Sequence, residues 1–298
     1  MLITRPPRPA LRPFVKVVWA SEDAGGEAGA ERERVLPTGA AHVVFRLSEL
    51  PLRVFDGPGD AVGRTVAHAV VGGPRAGFYV RDVSQPVCSV GAELHPGAVE
   101  PLLGVPAEEL AGAHTPLEAL WGRAAELARE RLLEAGSAAR RLELFESLLA
   151  ERLPRVRALH PAVAHALERF SGSAPVRDVV GSSGYSHRRF IALFRRAVGL
   201  PPKLYCRILR FQVALDRAAG DPAAPWADVA LASGYSDQPH LSREFHELAG
   251  VSPGDYRRIA PASARHVPIR PARSAEVNSV QDGGSRGWHD RRRKETEP

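Results

Sequence analysis

Residues 233–245 read SGYSDQPHLSREF, and fifty residues earlier, at 183–194, the chain reads SGYSHRRFIALF. Ser183-Gly184-Tyr185-Ser186 matches Ser233-Gly234-Tyr235-Ser236 at an offset of 50. Phe190, Phe194, Gly199, Pro202 and Tyr205 then match Leu241, Phe245, Gly250, Pro253 and Tyr256 at an offset of 51, so the second copy carries one extra residue at the start of its second helix. A short apolar run precedes each copy, VRDVVGSS in the first and WADVALAS in the second. Each copy therefore reads as a short helix, a glycine turn, a capped helix, then Gly and Pro, which is a helix-turn-helix. The glycine permits the sharp turn. Ser186, Ser236 and Ser252 are expected N-caps. Aromatic or aliphatic pairs four residues apart, Phe190/Phe194 and Leu241/Phe245, anchor each second helix to a core.

A polar edge is left over in each copy. In the first it holds His187, Arg188, Arg189, Arg195 and Arg196; in the second, Gln238, His240, Ser242, Arg243 and His246. These are donors able to reach base edges and phosphates in a major groove. Between the copies, periodicity predicts a helix over 202–219, roughly 27 Å long at about 1.5 Å per residue. Such a helix can hold two reading helices about one DNA turn, roughly 34 Å, apart. A plain helical bundle with solvated faces would explain one such pattern better than two. The other helices expected in this half are 161–171, 176–183, 187–197, 226–233, 237–249 and 253–259, with Pro161, Pro175, Pro202, Pro225 and Pro253 at or near their starts.

Charge divides the chain the same way. Residues 1–153 hold 17 Lys/Arg against 20 Asp/Glu, whereas residues 154–260 hold 15 against 9. A basic half joined to a mildly acidic one suits a polyanion partner for the first; an Arg-rich background composition would give the same split. The two cysteines, Cys88 and Cys206, lie far apart in the 298 residues. That argues against a disulfide framework or a thiolate zinc site, and suits a reducing cytoplasm. The N-terminal MLITRPPRPALRPF lacks the apolar core of a secretory signal. No run reaches the length of a membrane span.

Residues 11–100 contain short β-branched or aromatic runs, among them LRPFVKVVWA, AHVVFRLS, TVAHAVVGG, GFYVRDV and VCSVGAEL, divided by Gly, Pro, Asp and Ser. They predict a small barrel or sandwich, with 22–34 as a mobile hairpin loop. From Thr115 the pattern turns helical. Thr115 as cap, Pro116 at the first helical position and Glu118 three residues on predict a helix start. Gly136-Ser137 separates this helix from a second that ends near Leu153-Pro154. The pair reads as an antiparallel hairpin whose apolar stripe covers either the β domain or a second subunit. The stretch after 261 reads as a disordered basic tail, with RRRK at 291–294.

No P-loop, GxSxG or HExxH occurs, so no catalytic residue, metal site or cofactor is expected. His42, His68 and His95 share the β region without the spacing of a metal set. Trp19, Phe45, Phe55, Phe78 and Tyr79 could line a pocket or simply fill the β domain.

Residues 160–259 resemble the DNA-binding domain of AraC/XylS-type bacterial transcriptional regulators. GYSDQPHLSREF followed by AGVSPGDYRR carries the resemblance; the first copy, with Ser186, Phe194, Arg195, Gly199, Pro202 and Tyr205, fits more loosely. The resemblance implies base-reading positions at Arg188, Ile191 and Ala192 in the first copy. In the second it places them at Gln238, Pro239, His240, Ser242 and Arg243. Ser186, Arg189, Arg195, Arg196, Ser236 and His246 would contact phosphates. Ile191 and Ala192 offer no donor and would meet thymine methyls or the backbone. The stretches RVLPTGAAHVVFRLS and VGAELHPGAVEPLLGVPAEEL resemble a sensor domain found before such DNA-binding domains, with Thr38 and Ala40 where those often carry Asp and Cys. The expected fold is thus α+β in two domains: a cupin-like β domain over 1–103, a helical hairpin over 104–153, the double helix-turn-helix domain over 154–260 and the tail 261–298. The expected function is a cytoplasmic, DNA-binding regulator controlled by a small-molecule effector or by homodimer formation. The alternative is a cupin-like enzyme or metal-binding protein with an accessory DNA-binding domain.

Overall fold

Alternating β-branched residues in the first third of the chain build two facing sheets. The computed structural model describes residues 2–24, 29–153 and 159–270. Its strands are β1 (Leu2–Arg5), β2 (Val15–Ala24), β3 (Arg32–Val35), β4 (His42–Arg46), β5 (Arg53–Phe55), β6 (Arg64–Thr65), β7 (Ala69–Gly72), β8 (Tyr79–Asp82), β9 (Val87–Leu94), β10 (His114–Pro116) and β11 (His266–Ile269). One sheet runs β1-β2-β9-β4-β7-β10 and the other β11-β3-β8-β5-β6.

Register sorts the first sheet's side chains onto two unlike faces. Val43 pairs with Val71 and Ala92, and Phe45 with Ala69 and Val90. This face is buried beneath α4 (Arg123–Glu134) and α5 (Ala138–Ala150), where Phe45 meets Phe145 edge-on at 6.0 Å between centroids. Burying Phe145 there is worth roughly 2–3 kcal/mol by area. The helical hairpin thus covers the β domain. The opposite face carries His42, Val44 and Arg46 and looks toward the second sheet, in line with the strict alternation of a strand.

Four local expectations are corrected. Thr115 is no cap: it lies in β10 against Val71, and α3 (Glu118–Trp121) starts after Leu117 without a side-chain cap. Gly122, at φ 58° and ψ −146°, then breaks the expected long helix, a backbone conformation open essentially to glycine. Within 22–34, β2 continues to Ala24 and β3 begins at Arg32; residues 25–28 lie outside the described set. The expected tail is ordered over its first ten residues. There Ser263 and His266 form an isolated bridge, and β11 adds to the edge of β3 with Val267 fully buried. Burial of one valine and a free sheet edge hold a segment whose composition alone suggests none. The remainder of that stretch, including RRRK at 291–294, lies outside the described residues.

The helical half comprises α6 (Pro161–Ser171), α7 (Val176–Ser182), α8 (His187–Val198), α9 (Pro202–Gly220), α10 (Trp226–Ala232), α11 (Gln238–Ala249) and α12 (Pro253–Ile259). Phe190, Phe194, Phe211, Leu241 and Phe245 are fully buried in one core. The β domain leans on that core through two loops. Phe78 N–H donates to Leu248 O at 3.1 Å, and Gln212 Nε2 donates to Pro37 O at 2.7 Å. A side chain at Gly250 would meet the Phe78 ring at 2.4 Å, so glycine is required by contact as well as by its φ of +67°.

Candidate nucleic-acid interface

The two copies are built alike, with one shift. Ser186 Oγ accepts the Arg189 backbone N–H at 3.4 Å and caps α8. In the second copy the cap is Asp237, not Ser236: Asp237 Oδ1 accepts the His240 N–H at 2.7 Å. Asp237 is Ser186 plus 51, so the extra residue lies just before the cap. That backbone N–H also holds the Asp237 carboxyl below its ordinary range. Ser236 instead bonds the cap through Asp237 Oδ2 at 3.1 Å and lies 3.1 Å from His240 Nδ1. Both helices end on left-handed glycines, Gly199 and Gly250. The helix between the copies, α9, has 19 residues and a length of about 28 Å.

The structure brings most of the base-reading candidates to exposed positions. Arg188, Ala192, Gln238, Pro239 and Arg243 are exposed, and Ile191, His240 and Ser242 are half-buried. Among the described residues, the side chains of Arg188, Gln238, Ser242 and Arg243 make no hydrogen bond or ion pair. His240 stacks edge-on with Tyr235, which fixes its ring plane. The phosphate candidates divide. Arg189 lies over the Tyr185 ring at 5.8 Å, and His246 is exposed. Arg195 and Arg196 turn the other way. Arg195 approaches Glu108 at 3.6 Å, and Arg196 Nη2 donates to Glu100 at 2.6 Å, on α2 (Ala107–Leu110) and α1 (Val99–Leu103) of the β domain. Glu100 pushes the Arg196 guanidinium upward.

Beside α11 lies a groove of about 600 Å³, lined in part by Lys203, Arg207, Arg210, His240 and Arg243. Its floor is Glu244, 5% exposed. Glu244 accepts from Arg207 Nε at 2.8 Å, from Arg210 Nη2 at 3.2 Å and from the Tyr235 hydroxyl at 2.9 Å. Burial first, and then the Glu244 carboxylate, push the Tyr235 phenol far up. This network fastens α11 to α9 and to the turn before it. Sequence reading missed Glu244, Arg207, Arg210 and Asp237. The signal for Asp237 was the change of offset from 50 to 51; a buried glutamate on a polar helix edge leaves none.

Of the histidines considered for a metal, His68 Nε2 lies 2.9 Å from Glu49 O and His42 lies 3.9 Å from Glu93; among the described residues no group of three or more His, Cys, Asp or Glu is placed to hold a metal ion. Both cysteines are free thiols. No helix among the described residues is long and apolar enough to cross a membrane.

Residues 179–259, which hold both capped helices α8 and α11, match the family described as a helix-turn-helix domain, and residues 3–116 match a domain of unknown function, DUF6597. The C-terminal part of this chain is therefore a helix-turn-helix domain of the kind found in DNA-binding regulators. It is joined to an N-terminal β-rich domain of two sheets. The chain is 38% identical over 85 residues to YkgA of Escherichia coli (strain K12), named as an HTH-type transcriptional regulator; the match covers 28% of this chain and about a third, 34%, of that protein. Two structures of ToxT from Vibrio cholerae are distant likenesses. The O395 protein has a TM-score of 0.44 at 10% identity, covering 82% of this chain and 99% of that one. The unsaturated fatty acid-bound protein of strain SCE256 has a TM-score of 0.42 at 11% identity, covering 86% and 94%.

Proposed function

We propose that this chain is a sequence-specific, DNA-binding transcriptional regulator of the cytoplasm, with a β domain that takes a small-molecule effector or pairs two copies. The observation that carries the reading is the duplication itself. Two capped helices, held by one core and joined by α9, each present an exposed polar edge. In this reading Arg243, Gln238 and His240 contact base edges, with Ser242 and Pro239 beside them. Arg188, Ile191 and Ala192 read the other segment, where the two apolar side chains suit thymine methyls. Ser186, Arg189, Ser236 and His246 contact phosphates, as do Arg195 and Arg196 once released from Glu108 and Glu100. No catalytic step and no cofactor enters the proposal.

The test is retention of fragmented genomic DNA on the purified protein at moderate salt, followed by sequencing. Two short enriched blocks about one helical turn apart are expected. Retention without any motif would leave only a basic surface gripping phosphates and would sink the reading. The same protein run on a sizing column with and without DNA reads whether two copies pair.

A further inference from the structure

Two helix-turn-helix units on one side of a duplex leave between them a stretch of DNA that neither unit reads. Successive major-groove segments about one turn apart are separated by the minor groove and the two strands that border it. Each strand carries a negative charge at every nucleotide, so a protein surface turned toward this stretch meets phosphate first.

The groove beside α11 lies between the two units. α7, in the first unit, contributes Val176, and the joining helix α9 contributes Lys203, Arg207 and Arg210. Those three cations stand at i, i+4 and i+7, the spacing that puts them on one face of a helix. From α11 come His240 and Arg243. Both contact base edges in the function proposed above, so the groove opens on the reading side of that helix.

The charges in the groove do not balance. Lys203, Arg207, Arg210 and Arg243 line it against two carboxylates, Glu244 and Glu247. Both carboxylates are engaged. Glu244 holds Arg207 Nε at 2.8 Å and Arg210 Nη2 at 3.2 Å, and Glu247 takes Arg207 Nη2 at 2.5 Å. These bonds anchor the two guanidiniums and leave Arg207 Nη1 without a bond among the described residues. Lys203 and Arg243 are exposed and, among the described residues, make no hydrogen bond or ion pair. Two anchored guanidiniums and two free cations in one concave surface concentrate the field on an incoming anion.

We propose that this groove grips the sugar-phosphate backbone of the DNA between the segments that α8 and α11 read, with Lys203 and Arg207 Nη1 on phosphate oxygens. The inference rests on the DNA-binding reading above and extends it: α9 is a DNA contact in its own right and not only a spacer. Contacts of this kind carry no sequence information, but they fix the register of the two reading helices on the duplex.

The experiment measures binding of the full chain to duplexes carrying the enriched motif, and to random duplexes of the same length, as salt is varied. Lys203→Ala should make the dependence of log K on log salt shallower by about 1 on both. Raising salt from about 50 to about 200 mM then costs the variant roughly three- to fourfold less than the wild type. Lys203→Arg should keep the wild-type slope, and Arg64→Ala, which removes an exposed arginine of β6, should leave it unchanged. A second arm replaces single phosphates between the two motif blocks by neutral methylphosphonates. At one of these positions at least, the wild type should lose affinity and Lys203→Ala should lose less. An unchanged slope in Lys203→Ala, or equal losses for both proteins at every position, overturns the proposal. A motif with an unchanged slope removes the groove contact alone. A flattened slope on random DNA without any motif keeps the groove contact and removes base reading alone. No retention of DNA removes both.

Discussion

Arg243 and Glu244 are neighbours on one helix with opposite tasks. Arg243 is exposed on α11 and, among the described residues, makes no hydrogen bond or ion pair, while Glu244 is buried under two arginines and a tyrosine. The first was legible because an arginine on the polar edge of a repeated helix belongs outside. The second was not, since a glutamate there reads as another solvated charge; only the arginines of α9, folded against it, make it a hub. Arg243→Ala is expected to weaken binding to the enriched motif by about 1–3 kcal/mol and to blur one base position. Binding curves on the motif and on random DNA check this: an equal loss on both would mean that Arg243 holds phosphate.

At the scale of elements, α8 is the member with two claims on it. Its outer edge reads as a DNA surface, yet its last turn leans on α1 and α2. Gly199 there would bring a side chain to 3.0 Å from Ala107 O, so the contact is close-packed. The ion pairs at its rim are more than half exposed on the arginine side, 58% for Arg195 and 53% for Arg196, so each adds little to stability. Their effect is to occupy two cations. Replacing both Glu100 and Glu108 by Gln should free them, steepening the dependence of log K on log salt by up to about 2 on any sequence. An unchanged slope would place Arg195 and Arg196 off the DNA backbone. The helices α6 to α12 were readable to within a residue or so, because Pro, Ser and Gly mark their ends. Their partners on α1 and α2 were not, because contacts between distant segments leave no periodicity.

For the molecule as a whole, the polar space between the sheets sets the response to acid. Burial lowers His42 from 6.5 to about 4, against the pull of Glu93, and His114 from 6.5 to about 3. Both are neutral in the folded protein and charged in the unfolded chain between those values. The unfolded state then binds more protons, so stability falls as pH drops below about 6.5, by up to about 1.4 kcal/mol per pH unit for each histidine. Burial alone would raise Glu33, but Arg81 and then His266 outweigh it and hold it at about 2. Its contribution is present above 4.5 and is lost as pH falls from there through about 2, which loosens β11 last. Urea unfolding at pH 7.5, 6.0 and 5.0 checks the first part. A flat profile would mean that the two imidazoles remain hydrated. The β domain's inner polarity was hidden in the sequence because alternation identifies two faces but not which of them meets a helix. The edge strands were hidden because β10 and β11 are short and carry proline.

β11 also gives the chain a direction in time. The sheet that begins at Arg32 is completed by residues more than two hundred positions later, after the whole helical domain. A ribosome would release the β domain with the outer edge of β3 still bare, and that edge can close only when His266–Ile269 has emerged and the helices have folded back. Until then the sheet is protected only by the charges of Arg32, Glu33 and Arg34, the kind of residues that discourage pairing between strangers. The domain made ahead of the helices is therefore finished only after them.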